Sequence, residues 1–174
     1  RPLKLSVNVA PQQLMDRRHV QDLQAMLDGS VLPTDRVVLE VTERSLLAGE
    51  GPRDALRSLR STGAKLALDD FGTGYSSIAH LRDHPVDILK LDRSYVSEVA
   101  THSASRTLIT AIINMSTELG ISCTAEGIET TEQALLLEAA GCAHAQGYLY
   151  AAPMPHAELM AWLAASAPVV PRPR

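Results

Sequence analysis

"AKLALDD", residues 64–70, sets how the rest of the chain is read. The run is too short for a stable helix, long enough for a strand, and closed by two adjacent carboxylates, Asp69 and Asp70. Five more runs share its character: "LKLSVNV" at 3–9, "RVVLEVT" at 36–42, "DILKLD" at 87–92, "ISCTAEG" at 121–127 and "AHAQGYLY" at 143–150. Between them, apolar residues recur at helical spacing: Leu14, Val20, Leu23 and Leu27; Ala55, Leu56 and Leu59; Leu108, Ile112, Met115 and Leu119; Ala134, Leu135 and Leu137. A last helical stretch runs from Pro155 to about Ala165. Strands alternating with helices predict an α/β fold of six βα units with parallel pairing and right-handed crossovers. Punctuation agrees. Pro11, Pro52 and Pro155 stand where first turns begin, "TTEQ" at 130–133 has the form of a helix start, and Gly63, Gly120 and Gly141 fit helix C-termini.

Strands of a parallel sheet covered on both faces should be almost wholly apolar. These depart from that pattern at one end. Asn8 closes the first run, Glu40 lies in the second with Glu43 just beyond it, and Asp69 and Asp70 end the third. Lys90 and Asp92 fall in the fourth, Glu126 in the fifth and Gln146 in the sixth. Any one of them could cap a following helix, a role Asp70 or Thr42 alone would fit. All six runs deliver one. Glu40 and Lys90 are moreover flanked by apolar strand residues, where capping is unavailable and unpaired burial costs several kcal/mol. A shared polar site at the carboxyl ends of the strands is expected, where α/β barrels and open sheets build their active sites.

Four carboxylates (Glu40, Asp69, Asp70, Glu126) and an Asn carbonyl gathered at one rim would repel one another without cations. Hard oxygen donors with no Cys or His among them select Mg²⁺ or Mn²⁺ over zinc. Two such ions lower the pKa of a bridging water and clamp the oxygens of a phosphoryl transfer, so a phosphodiester is the natural substrate. Lys90 suits the nucleophilic water or a non-bridging phosphate oxygen. In the loop "DDFGTGYSS" at 69–77, Gly72 and Gly74 allow a tight turn after Phe71, with Thr73, Ser76 and Ser77 to pin it. Its GxG lacks the continuation of a dinucleotide fingerprint. Glu43 is placed to anchor this loop.

Composition narrows the remaining classes. The chain has 174 residues, 45% apolar, with net charge −4, one Phe, one Trp and four Tyr. Such a length forms one domain and buries roughly 70% of its unfolded surface. Few aromatics and a pI near 5.8 exclude DNA or RNA polymer binding. Cys123 and Cys142 have neither zinc-site nor disulfide spacing and read as buried thiols of a reducing compartment. No run is long enough for a membrane helix, and a cytoplasmic domain at residues 1–165 is expected, followed by a Pro/Arg-rich tail at 166–174.

"LSVNVA", "LEVTE", "DDFGTGYSS", "LKLDRSYV", "TAEGIET" and "QGYLYAAPMP" together resemble, in order and spacing, the EAL domain. That is the bacterial phosphodiesterase domain that opens cyclic di-GMP to linear pGpG in second-messenger signalling. The resemblance spans essentially residues 3–160. It implies a (βα)₈ barrel of the TIM type, two Mg²⁺ or Mn²⁺ ions and in-line attack of a metal-activated hydroxide. It further implies Asn8, Glu40, Asp69, Asp70, Glu126 and Gln146 as metal ligands or their close supports, and Lys90 as the water-positioning lysine. Lys90, Glu126 and Asp70 form the expected catalytic set, with Gln146, Asp92, Glu43 and Glu129 around the substrate or supporting the ligands. Glu43 and Glu129 resemble the family's loop-ordering and supporting acidic residues, and the loop at 71–77 resembles the segment that couples metal binding to homodimerisation.

Some positions depart from the family pattern. The Glu-Ala-Leu segment of the family's first strand, which supplies a ligating Glu and a nearby Arg, has no counterpart here. The expectation is a barrel truncated to about six βα units, of little activity by itself. Ala10 and Ala143 are smaller departures. A receptor or interaction module that binds cyclic di-GMP without turnover is the alternative, and the clustered carboxylates argue against it. An enolase-type lyase would need a second base opposite Lys90.

Overall fold

The β-branched and leucine-rich runs form six parallel strands in a computed structural model of the protein, which describes residues 3–47, 49–71, 81 and 84–165. The strands are β1 (Leu5–Asn8), β2 (Val37–Thr42), β3 (Lys65–Phe71), β4 (Ile88–Leu91), β5 (Ser122–Ala125) and β6 (His144–Ala145). Each pairs with the next in sequence, so the sheet order is β1-β2-β3-β4-β5-β6. It curls into an open partial barrel, the α/β architecture expected. Helices α1 (Pro11–Met15) and α2 (Arg17–Asp28) follow β1, and α3 (Glu43–Leu47) and α4 (Glu50–Ser61) follow β2. Further on, α5 (Arg93–Glu98) and α6 (Ser103–Glu118) follow β4, α7 (Thr131–Ala139) follows β5 and α8 (His156–Ala165) follows β6.

Alternation along each strand separates two environments. Leu39, Val41, Leu66, Leu68, Leu89 and Leu91 are at most 2% exposed. They share one core cluster with Leu14, Leu56 and Leu59 of the early helices and with Ile109, Ile113 and Leu137 of the later ones. Burying each such side chain stabilises the fold by about 1.5–3 kcal/mol. The other face carries smaller and polar groups. Ser6, Val38, Glu40, Ala67, Ile88, Lys90, Thr124, His144 and Gln146 line a cavity of about 260 Å³ together with Lys4. The apolar core therefore lies outside the curl, between strands and helices, and the concave face is left for chemistry.

Local signals explain most helix boundaries. Thr130 and Gln133 form the capping box that "TTEQ" suggested, with Thr130 Oγ1 accepting from the Gln133 amide at 3.2 Å and Gln133 Oε1 accepting from the Thr130 amide at 3.0 Å. Gly63, Gly120 and Gly141 take positive φ after α4, α6 and α7, as expected of C-terminal glycines. Pro11 opens α1, whereas Pro52 lies inside α4 and Pro155 just before α8. Cys123 is buried, Cys142 partly so, and both are free thiols. Burial raises both pKa values, that of Cys142 to about 11, which leaves them as inert thiols.

Four expectations are corrected. The first helical stretch is two helices, because Asp16 adopts extended backbone and its side chain accepts from the Arg18 amide, ending α1 and capping α2. On α6 the buried positions are Ile109, Ile113 and Ser116, while Leu108 and Leu119 are exposed; on α7, Leu137 is buried and Leu135 exposed. The run at 143–150 gives a strand of two residues, since Gly147 turns the backbone out of the ladder and a turn follows. Phe71, grouped with the loop, is the last residue of β3 and is buried in the core. The rest of that loop, with Gly72, Thr73, Gly74, Ser76 and Ser77, and the tail at 166–174 lie outside the described residues.

The end of the sheet opposite the carboxylates is tied by Asp87. Its carboxylate accepts from Arg60 at 2.9 Å, from the Leu66 amide at 3.0 Å and from Lys65 Nζ at 3.5 Å, joining the end of α4 to the entries of β3 and β4. Burial alone would raise its pKa, but the hydrogen bonds from Arg60 and Leu66 and the two cations outweigh it and hold the carboxyl below its ordinary 3.8. A depressed pKa stabilises the fold above the ordinary value, and that contribution drains away as pH falls through the folded one. Asp87→Asn is expected to cost about 1–3 kcal/mol in urea unfolding at pH 7. The difference from wild type should shrink below about pH 4; a difference independent of pH would show that the charge is not what stabilises this joint.

Candidate active site at the strand ends

The site begins with a fault in the sheet. Regular alternation would send Asp69 and Asp70 to opposite faces. Between Leu68↔Leu89 and Phe71↔Leu91, however, β3 spends one residue more than β4. The bulge falls on the two aspartates, and Asp70 absorbs it with a φ of 55°, a conformation Asp tolerates better than most residues. Phe71 is thereby returned to the core face, while both carboxylates stay at the rim.

Lys90 stands at the centre. It projects from β4, is 5% exposed, and its Nζ lies 2.5 Å from Glu40 of β2, 2.7 Å from Glu126 just past β5 and 3.0 Å from Asp69 of β3. Register produces this convergence: Glu40 pairs with Ala67, two residues before Asp69, and Lys90 with Thr124, two before Glu126. Burial would lower the lysine's pKa, but hydrogen bonds to Glu126, Glu40 and Asp69 outweigh it and hold the ammonium above its ordinary 10.5. Burial is the largest effect on Glu126 and raises its pKa, aided by the charges of Asp69 and Glu40 and opposed by Lys90. Asp70 is raised as well, by burial and by the charges of Asp69 and Asp92. One ammonium thus faces more carboxylates than it can neutralise.

Other expected residues surround this centre. Gln146 Nε2 donates to Glu126 Oε1 at 2.8 Å. Asn8 stands beside Glu40 in register at the exposed end of β1. Asp92 caps α5 by accepting from the Ser94 amide, so its carboxylate has a structural partner as well as lying near Asp70. Glu43 is 6% exposed, and its carboxylate oxygens find no hydrogen-bond partner among the described residues. Glu129 pairs at 2.5 Å with Arg93, a residue the sequence reading did not single out. Arg93, Glu126, Gly127, Glu129, Gln146 and Gly147 line a cavity of about 470 Å³ beside the cluster. Arg93 directly follows Asp92, and that adjacency was the available signal.

The donor set suits a hard divalent cation, being oxygen only, from three different strand ends and in excess of the local positive charge. Among the described residues, no three Asp, Glu, His or Cys side chains are already spaced as a metal cluster. The group that gathers Glu40, Asp69 and Glu126 is the Lys90 ammonium.

The family model of the EAL domain matches residues 1–153. The chain belongs to the EAL domain family. Over 168 residues it is 38% identical to the cyclic di-GMP phosphodiesterase RocR of Pseudomonas aeruginosa, covering 95% of this chain and 42% of RocR. This EAL chain therefore spans less than half the length of that relative. The EAL domain of Mycobacterium smegmatis DcpA superposes with a TM-score of 0.87 at 37% identity, over 93% of this chain and 73% of that one. Klebsiella pneumoniae BlrP1, solved as a manganese/cy-diGMP complex, superposes at 0.78 with 32% identity, over 84% of this chain and 38% of that one. Among the described residues of this EAL chain, no helix is long and apolar enough to cross a membrane.

Proposed function

We propose that this chain is the catalytic part of a cytoplasmic phosphodiesterase that hydrolyses cyclic di-GMP to linear pGpG with Mg²⁺ or Mn²⁺. One observation carries the reading: Glu40, Asp69 and Glu126, from three strand ends, converge on Lys90 with negative charge to spare. Asn8, Glu40, Asp69, Asp70 and Glu126 would hold the cations. When bound, such ions acidify a water and offset charge on the phosphate. The chain's own groups do the rest. Lys90 spends its N–H groups on Glu40, Asp69 and Glu126 in this structure; with those carboxylates turned to the cations, it would donate to the attacking water or to a non-bridging phosphate oxygen as charge builds there. Gln146 fixes the orientation of Glu126 through their hydrogen bond. Glu43, the buried first residue of α3, would serve the site as a supporting carboxylate, and a homodimer is the expected assembly. Attack opens one P–O3′ bond, consuming a water and leaving a 5′-phosphate and a 3′-hydroxyl.

Incubating the full-length protein with cyclic di-GMP and Mg²⁺ or Mn²⁺, and separating the products by chromatography, tests this. Formation of pGpG is expected, with loss of turnover on chelation and recovery when either ion is returned. Tight binding without product under both ions would instead identify a receptor.

A further inference from the structure

We propose that Gly127 is a positioning residue that acts through Arg93, holding its guanidinium at the mouth of the cavity beside the carboxylate cluster. The inference rests on the phosphodiesterase reading and names a determinant of ligand affinity within it. Arg93 is the one cationic side chain among the described residues that line this 470 Å³ cavity, while Glu126 and Glu129 line it with negative charge. A cyclic dinucleotide carries two phosphodiester charges and guanine acceptor edges, so an exposed guanidinium here is where a ligand acceptor is to be met. Glu129 engages one end of the fork at 2.5 Å, yet the Arg93 side chain remains 65% exposed, leaving donors free to face the cavity.

The position of that guanidinium is set by its stem. A Cβ on residue 127 would collide with the Cβ, Cγ and Cδ of Arg93, the near end of the side chain, which cannot swing aside without moving the guanidinium. Gly127 has φ +68°, so alanine would also carry a backbone strain, but that strain is the same whichever residue occupies position 93. This separates two roles for the glycine. A purely conformational glycine is indifferent to residue 93; a positioning glycine is not.

The full-length wild type, Gly127→Ala, Arg93→Gly and the double variant should be compared for cyclic di-GMP affinity with Ca²⁺ present. Loss of a charge-assisted contact predicts that Gly127→Ala and Arg93→Gly each weaken binding by about tenfold or more. Glycine at 93 is needed because alanine would keep the Cβ that meets residue 127. The double variant should be no weaker than Arg93→Gly. Multiplying effects, or a Gly127→Ala protein that binds like wild type, would overturn the proposal. If Gly127→Ala fails to fold, Arg93→Gly in the same chain removes every atom of the collision: a double variant that folds and binds like Arg93→Gly supports the role, and one that stays unfolded overturns it. A wild type that does not bind cyclic di-GMP would count against the phosphodiesterase reading alone. The side-chain Nε–H resonance of Arg93 then decides the remaining question, being shifted by Gly127→Ala if the glycine positions the arginine and unmoved if it does not.

Discussion

Lys90→Ala is expected to abolish cyclic di-GMP hydrolysis, by about 10³-fold or more, as removal of a preorganised donor to developing charge does elsewhere. Glu40→Ala should do the same by dissolving the cluster from the other side. The more diagnostic result lies in stability. Nζ contacts three carboxylates that are themselves largely buried, and removing it leaves them facing one another. Uncompensated buried charge costs about 3–5 kcal/mol. In chelator the variant should therefore melt well below wild type. The sign of its pH dependence follows from Glu126, whose pKa is already raised by burial and by Asp69 and Glu40 and loses in the variant the opposing pull of Lys90. An acid with a raised folded pKa is a liability at high pH that is relieved as it protonates, so the deficit should be greatest near pH 8 and shrink as the solution is acidified. Saturating Mg²⁺ should restore part of the melting temperature while leaving turnover at background. Unchanged turnover in either variant would remove the lysine-centred mechanism; an unchanged melting temperature in chelator would show that the ammonium does not hold the carboxylates together.

Leu89→Ala is expected to lower the unfolding free energy by about 2–5 kcal/mol, the range for deleting a buried leucine side chain. Leu89 has 0% exposure and sits immediately before Lys90 on β4, pointing to the opposite face. The two adjacent residues separate stability from chemistry. Leu89→Met, close in volume, should cost under about 1.5 kcal/mol. Urea unfolding at neutral pH measures both, and a small loss for Leu89→Ala would contradict a core placed between the strands and the outer helices.

The sequence exposed much of this arrangement because strand and helix signals there are strong. Runs such as "RVVLEVT" and "DILKLD" yield strands within a residue or so at each end, and Glu40 and Lys90 are marked as members of a shared polar site by sitting where no cap could explain them. What escaped is set by neighbours distant in sequence. No local pattern distinguishes two aspartates that continue a strand from two that bulge out of it; the pairing of Phe71 with Leu91 makes that distinction. The sixth run looks as apolar as the others, but Gly147 leaves the ladder where a Cβ would collide with the Ile128 backbone, and the amides of Ile128 and Leu149 then bond across that crossing to Gln146 and Ile128. Exposed Leu108 and Leu135 show the same limit, since helical spacing alone does not say which face meets the sheet. Arg93 was overlooked because a lone arginine at a helix start is common, and its meaning depends on Gly127 lying beneath it.

The strictly successive order of the sheet also bears on how the molecule is made. Lys90 needs Thr124 opposite it, Ala67 needs Ile88, and among the described strands each pairs only with its neighbours in sequence. Domains of this kind emerge from the ribosome N-terminus first, at roughly 5–20 residues per second. Each new strand then finds its template already laid down, and assembly can advance along the nascent chain one βα unit at a time. Glu40, Asp69, Lys90 and Glu126 enter in that order, so two acids are in place before the ammonium arrives to draw them together and the third acid closes the ring.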